Sequence, residues 1–145
     1  MKVLRNVLAV IAGIVIGGVV NMAIVVLGPT LIPPPAGVDP SNAESLAQSI
    51  HLFEPRHFVP PFLAHALGTL AGALVAYAIA VTYRRGIAMA IGVFFLLGGV
   101  AASFMIPAPA WFIALDLVAA YLPMAWLGAW LGARLTGGTS RPAEV

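Results

Sequence analysis

The chain has 145 residues, of which 61% are hydrophobic and only 8% charged, and its mean hydropathy is +1.03. A soluble domain carries about a quarter charged residues, so a single core solvated by water is excluded. Disorder is excluded as well, since it needs low hydrophobicity and high charge. The composition fits a membrane protein with room for about four spanning helices of roughly 20 residues each.

The lipid bilayer is therefore the first partner. There are no cysteines, which removes disulfides, thiolate metal sites and cysteine nucleophiles. The net charge of +2 and the pI near 9.5 would suit a nucleic-acid partner. The basic residues, however, stand at helix ends and form no stripe or patch, so no nucleic acid is expected.

The first apolar run covers about residues 7–28 and follows Lys2 and Arg5. It is longer than a signal-peptide core, and no small-x-small cleavage site follows it before Pro33-Pro34-Pro35, so a retained helix is expected. Residues 29–57 form the one sizeable loop. Its first half, Pro29 to Pro40, is proline-rich and should be extended. In its second half Ser41 and Glu44 have the spacing of a capping box, in which each side chain serves the other's free amide. Leu46, Ile50 and Phe53 then share one helical face, which predicts a short amphipathic helix on the membrane surface or over the mouth of the bundle, ended by Pro55.

His51, Glu54 and His57 are weak candidates for a metal site. Imidazoles and a carboxylate are suitable ligands, but Pro55 interrupts any helix that would align them and the spacing matches no metal motif. No metal and no cofactor are expected. The second apolar run, residues 58–83, opens with Pro60 and Pro61, which a first helical turn tolerates. The string His51-Leu52-Phe53-Glu54-Pro55-Arg56-His57 and its continuation to Ala73 resembles a group of small uncharacterised bacterial four-helix membrane proteins. That resemblance implies a bacterial cell membrane and a four-pass topology, and it carries no activity across.

Arg84-Arg85-Gly86 should form a short turn into the third run, residues 87–106, making the second and third helices antiparallel neighbours. Pro107-Ala108-Pro109 stops that helix. The fourth run, residues 111–135, should be kinked by Pro123, which lacks an amide donor. Residues 137–145 are expected to be a flexible cytoplasmic tail beyond a single membrane domain, residues 1–136. Lys2, Arg5, Arg84, Arg85, Arg134 and Arg141 fall on one side of this arrangement and Arg56 on the other, so the positive-inside rule puts both termini in the cytoplasm.

Lipid offers helices little hydrophobic drive to associate, so small residues and interhelical hydrogen bonds must hold them together. Gly13-x-x-x-Gly17 in the first helix, Gly68-x-x-x-Gly72 in the second and Gly128-x-x-x-Gly132 in the fourth are packing faces, and they also offer a homo- or hetero-oligomer contact. Asn21, His65, Ser103 and Asp116 each lie four to seven residues inside the outer end of their helices. At about 1.5 Å per residue they form one layer roughly 6–10 Å deep. A lone intramembrane aspartate costs on the order of 3 kcal/mol and should face inward to a partner, for which His65 is the natural choice.

The fold expected is all-α, a four-pass antiparallel transmembrane bundle with a short amphipathic helix in its outer loop. No phosphate loop, dinucleotide fingerprint or hydrolase elbow is present, and no enzyme is expected. The leading functional expectation is a non-enzymatic structural or accessory membrane component in which the polar layer is glue. The alternative is a small transporter or channel subunit using His65 and Asp116 in an outward-facing cavity.

Overall fold

The computed structural model describes residues 1–137, and these are helical with no strand among them. Four helical stretches are long and apolar enough to cross a membrane. Helix α1 is Lys2–Leu31, α2 is Ala43–Ser49, α3 is Val59–Ile79, α4 is Arg84–Met105, α5 is Ala110–Ala119 and α6 is Leu122–Gly137. Two 3-10 turns, Ile50–Leu52 and Pro55–Phe58, join α2 to α3. Of the tail expected at residues 137–145, Gly137 is the last residue of α6 and the rest lies outside the described residues.

Helix α3 is central and packs against α1, α4 and α6, with α1 as its largest neighbour. The sequence explains why they approach so closely. Gly13 and Gly17 of α1 meet Gly72 and Gly68 of α3, and a Cβ at Gly72 would stand 2.6 Å from the Gly13 carbonyl oxygen. Gly128 of α6 lies against the Leu70 carbonyl of α3, and Gly132 against the Tyr77 ring. All six glycines are buried inside the chain and face its own helices.

The interior is rich in Ala and Gly with a few larger side chains such as Ile91 and Tyr121, while Val19, Leu97, Phe104, Val118 and Trp126 are among the large apolar side chains left exposed. That is the inverse of a water-soluble protein, where large apolar side chains are the ones most often buried. It suits a chain whose surroundings are as apolar as its own surface.

Several boundaries differ from the sequence reading. Helix α1 runs three residues past Gly28, with Pro29 inside it. Gly28 packs on Pro60, the Ile32 amide reaches the Gly28 carbonyl, and the Thr30 hydroxyl donates to the Leu27 carbonyl at 2.6 Å, so the last turn is supported. The turn between α3 and α4 is Ala80–Tyr83, and Arg84-Arg85-Gly86 begins α4 instead of forming the turn.

The cause is tertiary. Asn6 of α1 accepts from the Val81 amide at 3.0 Å and donates to the Thr82 hydroxyl at 2.7 Å. Arg5 and Arg84 donate to the Ile79 and Tyr77 carbonyls at the end of α3, where cations also suit the helix dipole. Arg84 further lies 4.3 Å over the Tyr77 ring and donates to Thr136. This end of the molecule is locked by side chains from three helices.

At the opposite end the loop folds back over the helices. The capping box expected of Ser41 and Glu44 is not formed. Asn42 caps α2, accepting from the amides of Glu44 and Ser45, while Ser41 donates to Asp39, whose carboxyl it holds below its ordinary value. Asn is as good a cap as Ser, and Asp39 had already engaged Ser41. Pro55 opens the 3-10 turn into α3 and does not end α2, which stops at Ser49 and passes into a 3-10 turn ending at Leu52.

Candidate functional site

His65 lies on α3 two turns from its start, a start fixed by Pro60 and Pro61 in the first turn. Asp116 lies on α5, which Pro109 precedes as its N-cap. The two meet: His65 Nδ1 is 2.9 Å from Asp116 Oδ1 and 3.0 Å from Oδ2. The Asp116 side chain is 7% exposed and that of His65 27%. Since a carboxylate in this setting accepts, the imidazole Nδ1 carries the proton. His65 Nε2 has no protein partner among the described residues.

A third member, Tyr121, was not anticipated. Its hydroxyl donates to Asp116 Oδ2 at 2.8 Å, and its ring stacks on that of His65 with centroids 5.7 Å apart. In a continuous helix, residues five apart point about 140° away from each other and could not meet. The fourth apolar run is not continuous. It is broken at Ala120 and Tyr121, and Pro123 sits in the first turn of α6. Pro123 has no amide to offer the Ala119 carbonyl and its ring crowds that position, so the kink expected here is a full break. The break folds Tyr121 back toward Asp116. Gly99 of α4 makes room for it, since any Cβ there would overlap the Tyr121 hydroxyl and ring. Pro123 was the legible signal; which side chain the break would turn inward was not.

The other two members of the expected polar layer stand apart from this group. Ser103 donates to the Val100 carbonyl of its own helix at 2.7 Å. Asn21 packs beside Gly68 and is not bonded to His65 or Asp116. Thr69, one turn along α3 from His65, is fully buried with its hydroxyl unpartnered.

A cavity of about 330 Å³ leads from the loop end of the molecule down to this group. Its floor includes His65, Asp116 and Ser103, and its upper wall includes Leu46, Ile50 and Phe53. The three residues expected on one helix face lie on different elements, Leu46 on α2, Ile50 in the 3-10 turn and Phe53 just past it, and together they cover the mouth of the helices. That volume falls at the lower end of the range for small-molecule sites, about 300–1,000 Å³. Its walls are overwhelmingly apolar, and no Lys, Arg or Glu lines it. Below the floor the chain closes, with Ala73, Ala76, Ala88, Ile91, Ala125 and Ala129 packed as one buried cluster.

The weak metal candidates are not assembled. Among the described residues no three His, Asp or Glu side chains form a group able to hold a metal ion. Glu54 pairs with Arg56 at 3.0 Å, and His57 Nδ1 accepts from the Glu54 amide at 2.9 Å, which leaves that nitrogen without a free lone pair.

The geometry permits binding of a small apolar molecule, with a polar or charged end at His65 and Asp116, and exchange of a proton at His65 Nε2. No family model matches the chain, and no curated protein or solved structure is significantly similar to it.

Proposed function

We propose that the chain is a four-pass, antiparallel membrane bundle with both termini in the cytoplasm, and that it is a non-enzymatic protein with a small-molecule binding site facing outward. Topology rests on the charges: Lys2, Arg5, Arg84, Arg85 and Arg134 gather at the end locked by Asn6, while Asp39, Glu44 and Glu54 lie in the loop at the other end. Four apolar helices and the inverted distribution of large side chains support membrane insertion.

One observation carries the binding reading over a purely structural one: the cavity that ends on His65 and Asp116. Glue between helices needs the hydrogen bonds but not the empty space. A buried polar group serving only as glue would be enclosed by packing. The site suits the substrate-binding part of a small transporter better than a channel, because the alanine-rich cluster below the floor leaves no continuous path.

The absence of cysteine makes the test direct. Single variants Lys2→Cys, Ala36→Cys, Ser103→Cys and Ala76→Cys would be treated with a small impermeant thiol reagent from either side of sealed vesicles. Lys2→Cys should react from the cytoplasmic side alone, and Ala36→Cys from the outside alone. Ser103→Cys should react from the outside, more slowly than Ala36→Cys, and Ala76→Cys from neither side. Failure of Ser103→Cys to react from outside would remove the open cavity.

A further inference from the structure

The charge balance of the cavity floor points to the kind of ligand. We propose, resting on the outward-facing cavity described above, that the site takes a lipophilic organic monocation in competition with a single proton. Among the described residues Asp116 is the one carboxylate lining the cavity, and His65, whose Nδ1 faces it, is its only titratable partner besides the Tyr121 hydroxyl. With His65 neutral the floor carries one negative charge. With His65 protonated on Nε2 it carries none. An isolated charge in a low-dielectric site is costly, so the floor is stable holding one proton more or one monovalent cation.

Among the described residues no Lys or Arg lines the cavity to supply a compensating charge. Helices α1 and α4 contribute no titratable side chain to the lining. From the turn before α3 comes His57, whose Nδ1 accepts from the Glu54 amide and so is not offered to the cavity. From the break after α5 comes Tyr121, which already donates to the carboxylate.

The walls decide which cation. Phe53, Phe58 and Phe112 line the cavity, and aromatic faces attract cations that have little hydration to lose. A metal ion such as sodium would need a cage of oxygens, whereas the side chains lining this cavity offer only those of Asp116 and Ser103. A quaternary ammonium or similar organic cation with an apolar body fits both the charge and the walls.

The test compares benzyltrimethylammonium, whose charge is fixed, with neopentylbenzene, its neutral isostere, on the purified full chain in detergent. Binding would be measured by calorimetry and by displacement at about pH 8 and about pH 5. The cation should bind at least about tenfold more tightly at the higher pH, because one linked proton changes affinity up to tenfold per pH unit. The neutral isostere should show no such dependence. Calorimetry in buffers of different ionisation enthalpy should report release of up to one proton per cation bound.

Asp116→Asn should abolish the pH dependence and weaken cation binding without weakening the isostere; the proton count on the native chain stands if that variant fails to fold. Equal binding of both probes, or a pH-independent cation affinity, would overturn the cation inference and leave the cavity reading standing. Binding of neither probe would overturn both.

Discussion

Two buried hydroxyls, one bonded and one not, allow the polar group to be weighed directly. Tyr121 is 2% exposed and donates to the Asp116 carboxylate at 2.8 Å, whereas Thr69 is 0% exposed and has no partner. Tyr121→Phe deletes the first hydroxyl and keeps the ring that packs on Gly99 and His65. Thr69→Val deletes the second and keeps its shape. A hydrogen bond to a charged group contributes about 1.5–3 kcal/mol in water-soluble proteins. Between membrane helices such bonds average nearer 0.6 kcal/mol, with about 1.7 as the measured upper end, because the unfolded chain in lipid also finds partners.

The carboxylate acceptor and the short distance place Tyr121→Phe toward that upper end, at a loss of about 1–2 kcal/mol. Removing the orphaned Thr69 hydroxyl should instead be neutral or stabilise by up to about 1 kcal/mol, since its desolvation is uncompensated. Equilibrium unfolding in micelles or bicelles would read both values. Equal losses for the two variants, or a larger loss for Thr69→Val, would refute the assignment of Tyr121 as the support of Asp116.

The helix contacts and the locked end can be tested the same way. Gly72→Ala puts a Cβ 2.6 Å from the Gly13 carbonyl where ordinary contact begins at 3.4 Å, so the two backbones must part by about 0.8 Å. The cost expected is about 1–3 kcal/mol by unfolding, whereas Gly18→Ala, which meets nothing within 4 Å, should be neutral or slightly stabilising. Asn6→Ala should cost about 1 kcal/mol for each tie lost between α1 and the 80–83 turn. Hydrogen exchange at Val81 and Thr82 should speed up in that variant, and unchanged protection would count against the tie.

Much of the molecule could be read from the order of residues because lipid imposes simple rules. Backbone groups that cannot reach water must bond within their own helix, so a long apolar run can only be a helix. Gly13, Gly17, Gly68 and Gly72 announced close packing, because a missing side chain lets two backbones approach. Depth along each run placed His65 and Asp116 at the same level, and the cost of an unpaired acid in lipid made their contact the natural outcome.

Other features needed the third dimension. The capping of α2 went to Asn42 because Asp39 competes for Ser41, a choice between two good caps that spacing cannot make. The end of α3 was set by Asn6, which lies 75 residues away from Val81 along the chain. Which glycine of one helix meets which glycine of another is likewise invisible in a linear pattern.

The low charge content pointed to four helices apolar enough to span a membrane, and the position of one acid singled out where to look. Only the tertiary structure decided that Pro123 breaks the last helix, that the break turns Tyr121 onto Asp116, and that Gly99 leaves room for it. It also decided that the polar layer is not a ring of four: His65 and Asp116 pair, Ser103 serves its own helix, and Asn21 stands apart. A sequence pattern gives the face and depth of a side chain within one helix. The space left between helices, and hence the cavity above His65 and Asp116, depends on how all of them pack at once.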